Sequence, residues 1–581
     1  EPANHPGGRK RNPAMNMFSL NAAPKFALTF ALMACLGSAY STKAASNQPA
    51  IRLSDVTGST GITFTHTDGG EGKHRYIVES VASGLATFDF NNDGLIDILF
   101  LNGAPLPGSD RKASEIGNAL YRNDGDWKFT DVTPDSGLND QAYHLGVCIG
   151  DYDNDGFQDI FLSNFGPDIL YHNNGDGTFT DVTQKAGVSN GQHVGAGASF
   201  LDMDQDGDLD LFIANYCDFT MEKHKDRRIN GHPAYSGPAI YGSTADTLLR
   251  NNGDGTFTDV SETSGIAAKK GTGMGMVCAD YDNDGDTDII VGNDAKANFV
   301  WQNDGKGNFK EVGLLTGLAY DRNGIGLGTM GVDCADMDND GLLDFYMTSY
   351  EQQWTTFYRN DDAGFFTDVT HTTGAGAGTY HEVTWGIGLP DLNHDGHRDV
   401  FIACGHLQDN IHLWNDTTTF EAQNRVIMNL GNGKFRDVTL EAGSGMTPKL
   451  SSRGAAFDDL DNDGDIDVVV LNTRQIPTLL RNDLSSDQHW IQINLKGAQS
   501  NKFGIGAKVK VHAGNQTFVD EVHSGRGYQS HYGTRLHFGL GAQDSIQQIE
   551  VHWPGGEKEA FQNIPTDQII QLTEGSGLNG E

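Results

Sequence analysis

Short apolar runs recur along this chain at regular intervals. Ile98-Leu99-Phe100-Leu101, Ile160-Phe161-Leu162, Leu211-Phe212-Ile213-Ala214 and Val468-Val469-Val470-Leu471 are among them, each bounded by Asp, Asn and Gly. Runs of this length and setting predict buried strands. A second pattern, Asn-x-Gly-x-Gly-x-Phe-x-Asp-Val-Thr, follows them. It stands clearest at Asn173 to Thr183 and Asn251 to Ser261, with weaker copies from Asn123, Asn303, Asn360 and Asn429. Its Asn/Gly cluster is hairpin chemistry, and the alternating Phe-x-Asp-Val predicts another strand. Long helical periodicity is missing, so the chain reads as all-β.

Nine residues of fixed pattern lead into each apolar run. The copies start at Asp89, Asp151, Asp202, Asp280, Asp336, Asp391 and Asp459, with Asp or Asn at positions 1, 3 and 5, Gly at 6 and Asp at 9. Four acidic side chains in nine residues repel one another unless a hard cation accepts their oxygens, and Ca²⁺ takes such ligands. The expected metal ligands are Asp89, Asn91, Asp93 and Asp97; Asp151, Asp153, Asp155 and Asp159; Asp202, Asp204, Asp206 and Asp210; Asp280, Asp282, Asp284 and Asp288; Asp336, Asp338, Asp340 and Asp344; Asp391, Asn393, Asp395 and Asp399; Asp459, Asp461, Asp463 and Asp467. Position 12, where an EF-hand carries Glu, is apolar in every copy, which excludes that motif. Asn91 and Asn393 offer an oxygen without charge, so those two sites should bind more weakly.

One repeat is therefore strand, calcium loop, strand, connection, strand, hairpin, strand. Four strands per 50–60 residues is a propeller blade. Seven loops but six internal Phe-x-Asp-Val strands leave one blade short, and Leu53-Ser54-Asp55-Val56-Thr57 supplies the missing copy at the other end. We expect a seven-bladed β-propeller over 51–483, closed by residues 51–57, plus a small C-terminal β-domain over 487–574 and a tail at 575–581. Ile491, Ile493 and Leu495, then Val509 and Val511, then Ile549 and Val551, alternate within that domain.

Charge sharpens this picture. The 581 residues carry a formal net charge of −38, to which 26 Asp of the loops contribute. Up to seven Ca²⁺ would bring it to about −24, and nucleic acid is excluded as a partner for so acidic a surface. Residues 1–45 read as an upstream segment and secretory signal, in which Lys25 precedes the apolar run Phe26 to Leu36. That run is too short for a transmembrane span. Gly37-Ser38-Ala39 is a cleavage site, with Leu32-Met33-Ala34-Cys35 the rival that would place a lipid anchor at Cys35. Export, whether secreted, periplasmic or to the cell surface, suits calcium. Cys148, Cys278 and Cys334 read as small buried hydrophobes, while Cys217 and Cys404, placed in inserted loops, leave a disulfide open.

The loops resemble the FG-GAP/VCBS repeats of integrin α-subunit propellers and secreted bacterial proteins. Asn501 to Ala507, Ser524-Gly525-Arg526-Gly527-Tyr528, His537-Phe538-Gly539-Leu540-Gly541 and Val551-His552-Trp553-Pro554-Gly555-Gly556 resemble, in order, the ASPIC/UnbV module. The order of elements is similar to that of the cartilage acidic protein 1 family. The resemblance implies a calcium-binding, extracytoplasmic propeller and no defined reaction. It also implies a Cys where Ser236 stands, from which this chain departs.

Strand order puts the calcium loops and the Asn hairpins on one face and the three long insertions on the other. The third-blade insertion, Tyr216 to Ala245, is basic and aromatic. Candidate ligand residues on that face are Arg227, Arg228, His232 and Tyr235 from this insertion and His406 from the sixth. Around the channel mouth they are Glu79, His144, His193, His381 and Arg453, beside Thr329. The expected function is adhesion, ligand binding or scaffolding through an extracellular protein or glycan. The alternative is an enzyme acting on polysaccharide or a small anion at the central channel.

Overall fold

The computed structural model describes residues 50–112, 116–362 and 364–579. The signal segment, its cleavage sites and Cys35 lie outside the described residues. The chain is all-β and consistent with a β-propeller. Seven antiparallel sheets follow in chain order, each containing one apolar run as its second strand. Sheet 2 is representative, with strands Tyr143–Gly150, Asp159–Phe165, Ile169–Asn173 and Phe179–Asp181. The acidic loop, numbered 1 to 7 here by sheet, joins the first strand to the second. The hairpin joins the third to the fourth.

Leu53–Asp55 supplies the outer strand of sheet 7, pairing antiparallel with Thr478–Asn482. The first strand of each sheet packs on that of the next, and Ser452–Asp458 of sheet 7 packs on Leu85–Phe88 of sheet 1, so the circuit closes. Closure removes the free edge that a row of sheets would otherwise present. The acidic residue of each such strand, Asp in six and Glu311 in sheet 4, ends it by accepting the N–H two residues on, as Asp181 does from Thr183 at 2.9 Å.

Two further sheets lie beyond residue 488. His489–Lys496 pairs with Leu536–Gly541 and, in parallel, with Ile569–Thr573. Gln516–Glu521, Lys508–Ala513, Ser545–His552, Lys558–Pro565 and Leu578–Asn579 form the second sheet. The alternating residues Ile491, Ile493, Val509, Val511, Ile549 and Val551 are buried in one cluster that runs on into Phe200 and Leu211 of sheet 3. This module therefore shares a core with the circuit of sheets.

The module also sends a strap, His523 to Gly533, through the middle of the circuit, where it meets every sheet. Ser524 Oγ donates to Ile149 O at 2.6 Å (sheet 2), and Gly527 exchanges backbone hydrogen bonds with Val332 (sheet 5). Tyr532 Oη lies 2.8 Å from Ile387 O (sheet 6), and Gly533 N donates to Asp458 at 3.2 Å (sheet 7). His531 pairs with Ala86 (sheet 1), and the His523 ring sits 2.8 Å from Cys278 O (sheet 4). A Cβ on Gly525 would stand 1.8 Å from Ala198 O (sheet 3), so only glycine passes there.

All five described cysteines are buried free thiols, so Cys217 and Cys404 form no disulfide. Cys404 does not lie in an insertion either. It ends the strand Val400–Cys404, because the apolar run of sheet 6 continues into it.

Candidate metal loops and the two mouths of the circuit

Each acidic loop folds by the same local rules. Gly at position 6 has positive φ in all seven, from 85° in Gly94 and Gly396 to 102° in Gly464. In loop 2 nothing lies within 4 Å of a Cβ built on Gly156, so the backbone conformation, not space, demands glycine. In six loops the position-6 N–H bonds the first Asp, as Gly156 N does with Asp151 Oδ2 at 2.8 Å. The ninth-position Asp accepts the N–H of the hairpin Asn in all seven, as Asp159 does from Asn173 at 2.8 Å. That carboxylate therefore ties the loop to the hairpin as well as facing the cage.

Two rings of side-chain latches join the loops. The hairpin Asn donates from Nδ2 to the position-2 carbonyl of the preceding loop at every junction, as Asn173 does to Phe90 O at 2.8 Å. Asn123 to Leu460 O, at 2.7 Å, closes this ring between sheets 1 and 7. The position-4 side chain points the other way, onto the position-6 carbonyl of the next loop, as Asn92 does to Gly156 O at 3.0 Å. The conserved spacing of the hairpin Asn within each repeat was the only sequence signal for the first ring. Replacing Asn173 by Ala would orphan two buried carbonyls, Phe90 O and Gln158 O. A loss of about 2–4 kcal/mol is expected in chemical denaturation, against under about 1 kcal/mol for the exposed latch Asn92→Ala.

Loop 4 breaks both rules. Among the described residues Asp280 accepts no N–H from its own loop, and Asn283 makes no latch to loop 5. Instead Lys508 of the module places Nζ 2.7 Å from Asp280 Oδ2 and 2.6 Å from Asn283 Oδ1. Arg535 plays a similar part at loop 7, donating to Asn462 Oδ1 and Asp459 O at 2.7 Å each.

Carboxylate oxygens of Asp151, Asp153 and Asp155, of Asp202, Asp204 and Asp206, of Asp336, Asp338 and Asp340, and of Asp280, Asp282 and Asp288 converge to within 4.8 Å in each group. In loop 4 Asp280 Oδ1, Asp282 Oδ1, Asp286 Oδ1 and Asp288 Oδ2 are buried with no hydrogen-bond donor. Orphaned hard oxygens facing one another fit a cation. Burial first, and neighbouring carboxylates next, push these acids up: Asp151, Asp336 and Asp391 to about 7, and Asp97 to about 8. His172, which the motif did not single out, leans on Asp153 at 3.3 Å and Asp159 at 3.4 Å.

The face away from these loops is covered. The third insertion carries a hairpin, Arg227–Ile229 and His232–Ala234, that reaches across to sheets 6, 7 and 1. Tyr235 exchanges hydrogen bonds with Gln408, at 2.8 and 3.1 Å. Its hydroxyl donates to Glu79 at 3.1 Å and accepts from Arg474 at 3.1 Å. Glu79 is 2 % exposed, and burial with Asp68 nearby pushes it up to about 7. His144 is buried between Asn164 and Asp140, each at 2.8 Å. His406 is buried and accepts Gln408 N. Arg453 lies 4.1 Å over the Trp385 ring, which packs on Tyr528 of the strap. Thr329 is buried too. These residues are brought together as packing around the axis, not as the lining of an open mouth. His193, His381, Arg227 and Arg228 are exposed, and His232 stacks on Trp414.

No described helix is long and apolar enough to cross a membrane. Residues 497–579 match the family "ASPIC and UnbV". Six overlapping segments between residues 89 and 470 match "FG-GAP-like repeat", together more than half of the chain. Cartilage acidic protein 1 of Homo sapiens is 26 % identical over 394 residues, 65 % of this chain and 49 % of that protein. The Mus musculus protein of the same name is 26 % identical over 515 residues, 84 % of this chain and 73 % of the relative. This chain spans about half the length of the human relative. An Agrocybe aegerita lectin structure, described as recognising non-reducing terminal N-acetylglucosamine, aligns at 17 % identity and TM-score 0.35 over 62 % of this chain and 82 % of the lectin. The repeats and the relatives suggest an extracellular β-propeller. The matched repeats and the matched C-terminal segment make this chain a member of the FG-GAP-like repeat family that carries an ASPIC and UnbV domain.

Proposed function

We propose that this protein is an exported, calcium-loaded seven-bladed propeller that serves as a ligand-binding, adhesion or scaffold module. The observation that carries the reading is one acidic loop repeated seven times and joined side by side around a closed circuit, with carboxylate oxygens converging in loops 2, 3, 4 and 5. In each loop the carboxylates at positions 1, 3, 5 and 9 would hold the ion, with Asn at position 3 in loops 1 and 6. The ion supplies charge neutralisation and a rigid link between two strands. The protein's own N–H groups orient the ninth carboxylate in all seven loops and the first in all but loop 4, so little ordering remains for the metal to impose.

A non-catalytic role is supported by the state of the axis. The strap fills it from one side and Tyr235 covers it from the other, and Glu79, His144 and Arg453 are all committed to protein partners. This counts against the enzymatic alternative. On the insertion face the exposed cations Lys225, Arg227 and Arg228 face outward toward an acidic protein or glycan, while Lys223 is paired with Asp218. Metal analysis of the purified protein tests the core of the proposal. Several bound Ca²⁺ per chain are expected, and a chain that carries none after dialysis against 1 mM-scale calcium would sink it.

A further inference from the structure

The module covers the acidic loops unequally. Gln499 O stands over Gly207 of loop 3, Lys508 holds loop 4, Phe518 packs on Gly396 of loop 6, and Gln492 donates to Asp459 of loop 7 at 2.7 Å. Over loops 1 and 2 the module stands off. Among the described residues no hydrogen bond joins it to either loop, and a cleft of about 430 Å³ opens between them. Asp89 and Asn92 of loop 1 and Gln158 of loop 2 form the floor, while Asn494, Lys496 and Lys502 form the roof.

The roof is built to reach the floor. Gln492, Asn494 and Lys496 alternate on one face of the strand His489–Lys496, while Ile491, Ile493 and Leu495 go to the core. Gln492 already touches a loop. Among the described residues Asn494 and Lys496, the next two on that face, have no side-chain hydrogen-bond partner, and neither has Gln571, paired beside Asn494 on the parallel strand. Among the described residues Lys496 and Lys502 form no ion pair, in a chain of net charge −38 where acidic partners abound.

The floor is the complement. Loop 1 has Asn91 in place of a third-position carboxylate, and it is the more open of the two such loops: Asp93 is exposed, whereas Asn393 of loop 6 is fully buried. An ion on loop 1 would have three protein carboxylates around it in place of four, as on loop 6, but more room for an outside oxygen. A carboxylate is a hard oxygen donor of that kind, and the two unpaired ammonium groups would share its charge. The remaining lining mixes the amides and hydroxyl of Asn494, Gln571, Gln158 and Thr534 with the apolar Ile96, Leu495 and Phe503, which suits a sugar ring with hydroxyl edges and an apolar face.

We propose that the cleft between the C-terminal module and loops 1 and 2 binds a carboxylate-bearing saccharide, held by Lys496, Lys502 and the cation of loop 1. The inference rests on the calcium reading above, since only a cation on loop 1 would accept the ligand's carboxylate oxygen. It is separate from the insertion face.

Calorimetric titration of the calcium-loaded full chain with trigalacturonate, and with neutral maltotriose as counterpart, tests it. Trigalacturonate should bind and maltotriose should not. Lys496→Gln combined with Lys502→Gln should weaken binding at least tenfold while leaving the melting temperature and metal content unchanged. Prior chelation should abolish binding. Unchanged affinity in the double variant overturns the site. Failure of trigalacturonate to bind, or binding of poly-glutamate in its place, overturns the saccharide. Metal content measured on the same samples separates the two readings, because a loaded protein that binds no probe leaves the calcium proposal intact.

Discussion

Chelation at pH 8 should lower the melting temperature by roughly 10 °C, and chelation at pH 5 should barely move it. The size follows from site number. A cage with a Kd near 10⁻⁴ M, typical of extracellular modules, gains about 1.4 kcal/mol in about 1 mM calcium, and seven such cages give about 10 kcal/mol. At about 2 cal/mol/K of unfolding entropy per residue, a unit of this size shifts by about 1 °C per kcal/mol.

The pH dependence follows from the loop acids. In the metal-free fold Asp151, Asp336 and Asp391 are raised to about 7 and Asp97 to about 8. Between their ordinary values near 4 and these raised ones, the folded state holds more protons than the unfolded state. The loop acids' contribution to metal-free stability is therefore full below pH 4 and is lost as pH rises to 8. Calcium needs the ionised carboxylates, so its contribution grows over the same window. Buried histidines oppose this trend in absolute stability, since His531 is lowered to about 3 by burial and by Arg526. The measurement must therefore be the difference with and without calcium at each pH. An equal difference at pH 5 and pH 8 would contradict the loops as the source.

The second large effect is expected at the strap. Arg526→Met should destabilise by about 3–5 kcal/mol and expose residues 523–533 to protease. Arg526 is buried, with Nε 2.7 Å from Asp333 Oδ1, a hydrogen bond to Cys334 O at 3.1 Å and its charge over the Tyr532 ring. Asp333 is itself fully buried, accepting from Tyr532 at 3.0 Å and Leu389 N at 3.1 Å. Removing the guanidinium leaves a carboxylate in the channel with no counter-charge. Adding Asp333→Asn should recover part of the loss, because the stranded charge goes and the two donors keep an acceptor. A cost below 1 kcal/mol for the single variant, with the strap still protected, would show that the strap is held by shape and not by this pair. The two effects are separable, since the strap lies inside the circuit and the cages on its face.

Much of this was legible without coordinates, because repetition turns weak local signals into strong ones. One Asp/Asn/Gly stretch is a turn; seven with the same spacing define strand ends, hairpins and a shared face. The count of Phe-x-Asp-Val strands led to Leu53–Asp55 as a partner for Thr478–Asn482, and the pairing is present. The latches were half legible: the hairpin Asn recurs, but its bond runs to a carbonyl about 80 to 100 residues earlier in six of seven junctions, which no local pattern encodes.

The centre of the molecule was not legible at all. Ser524-Gly525-Arg526-Gly527-Tyr528 has no apolar periodicity, and in the sequence it carried only the ASPIC/UnbV resemblance. Its partners are carbonyls and edges from Ile149, Ala198, Cys278, Val332 and Ile387, which are adjacent only once the circuit has closed. The same holds for Glu79 and Arg453. Their positions around the axis followed from strand order, but whether the axis is open or filled depends on segments hundreds of residues away. Local spacing determined the repeating unit, since a strand, a turn and an oxygen cage are each fixed within about a dozen residues. Tertiary structure alone decided what the circuit encloses, because that is set by which distant backbone groups still need a partner after every local hydrogen bond is made.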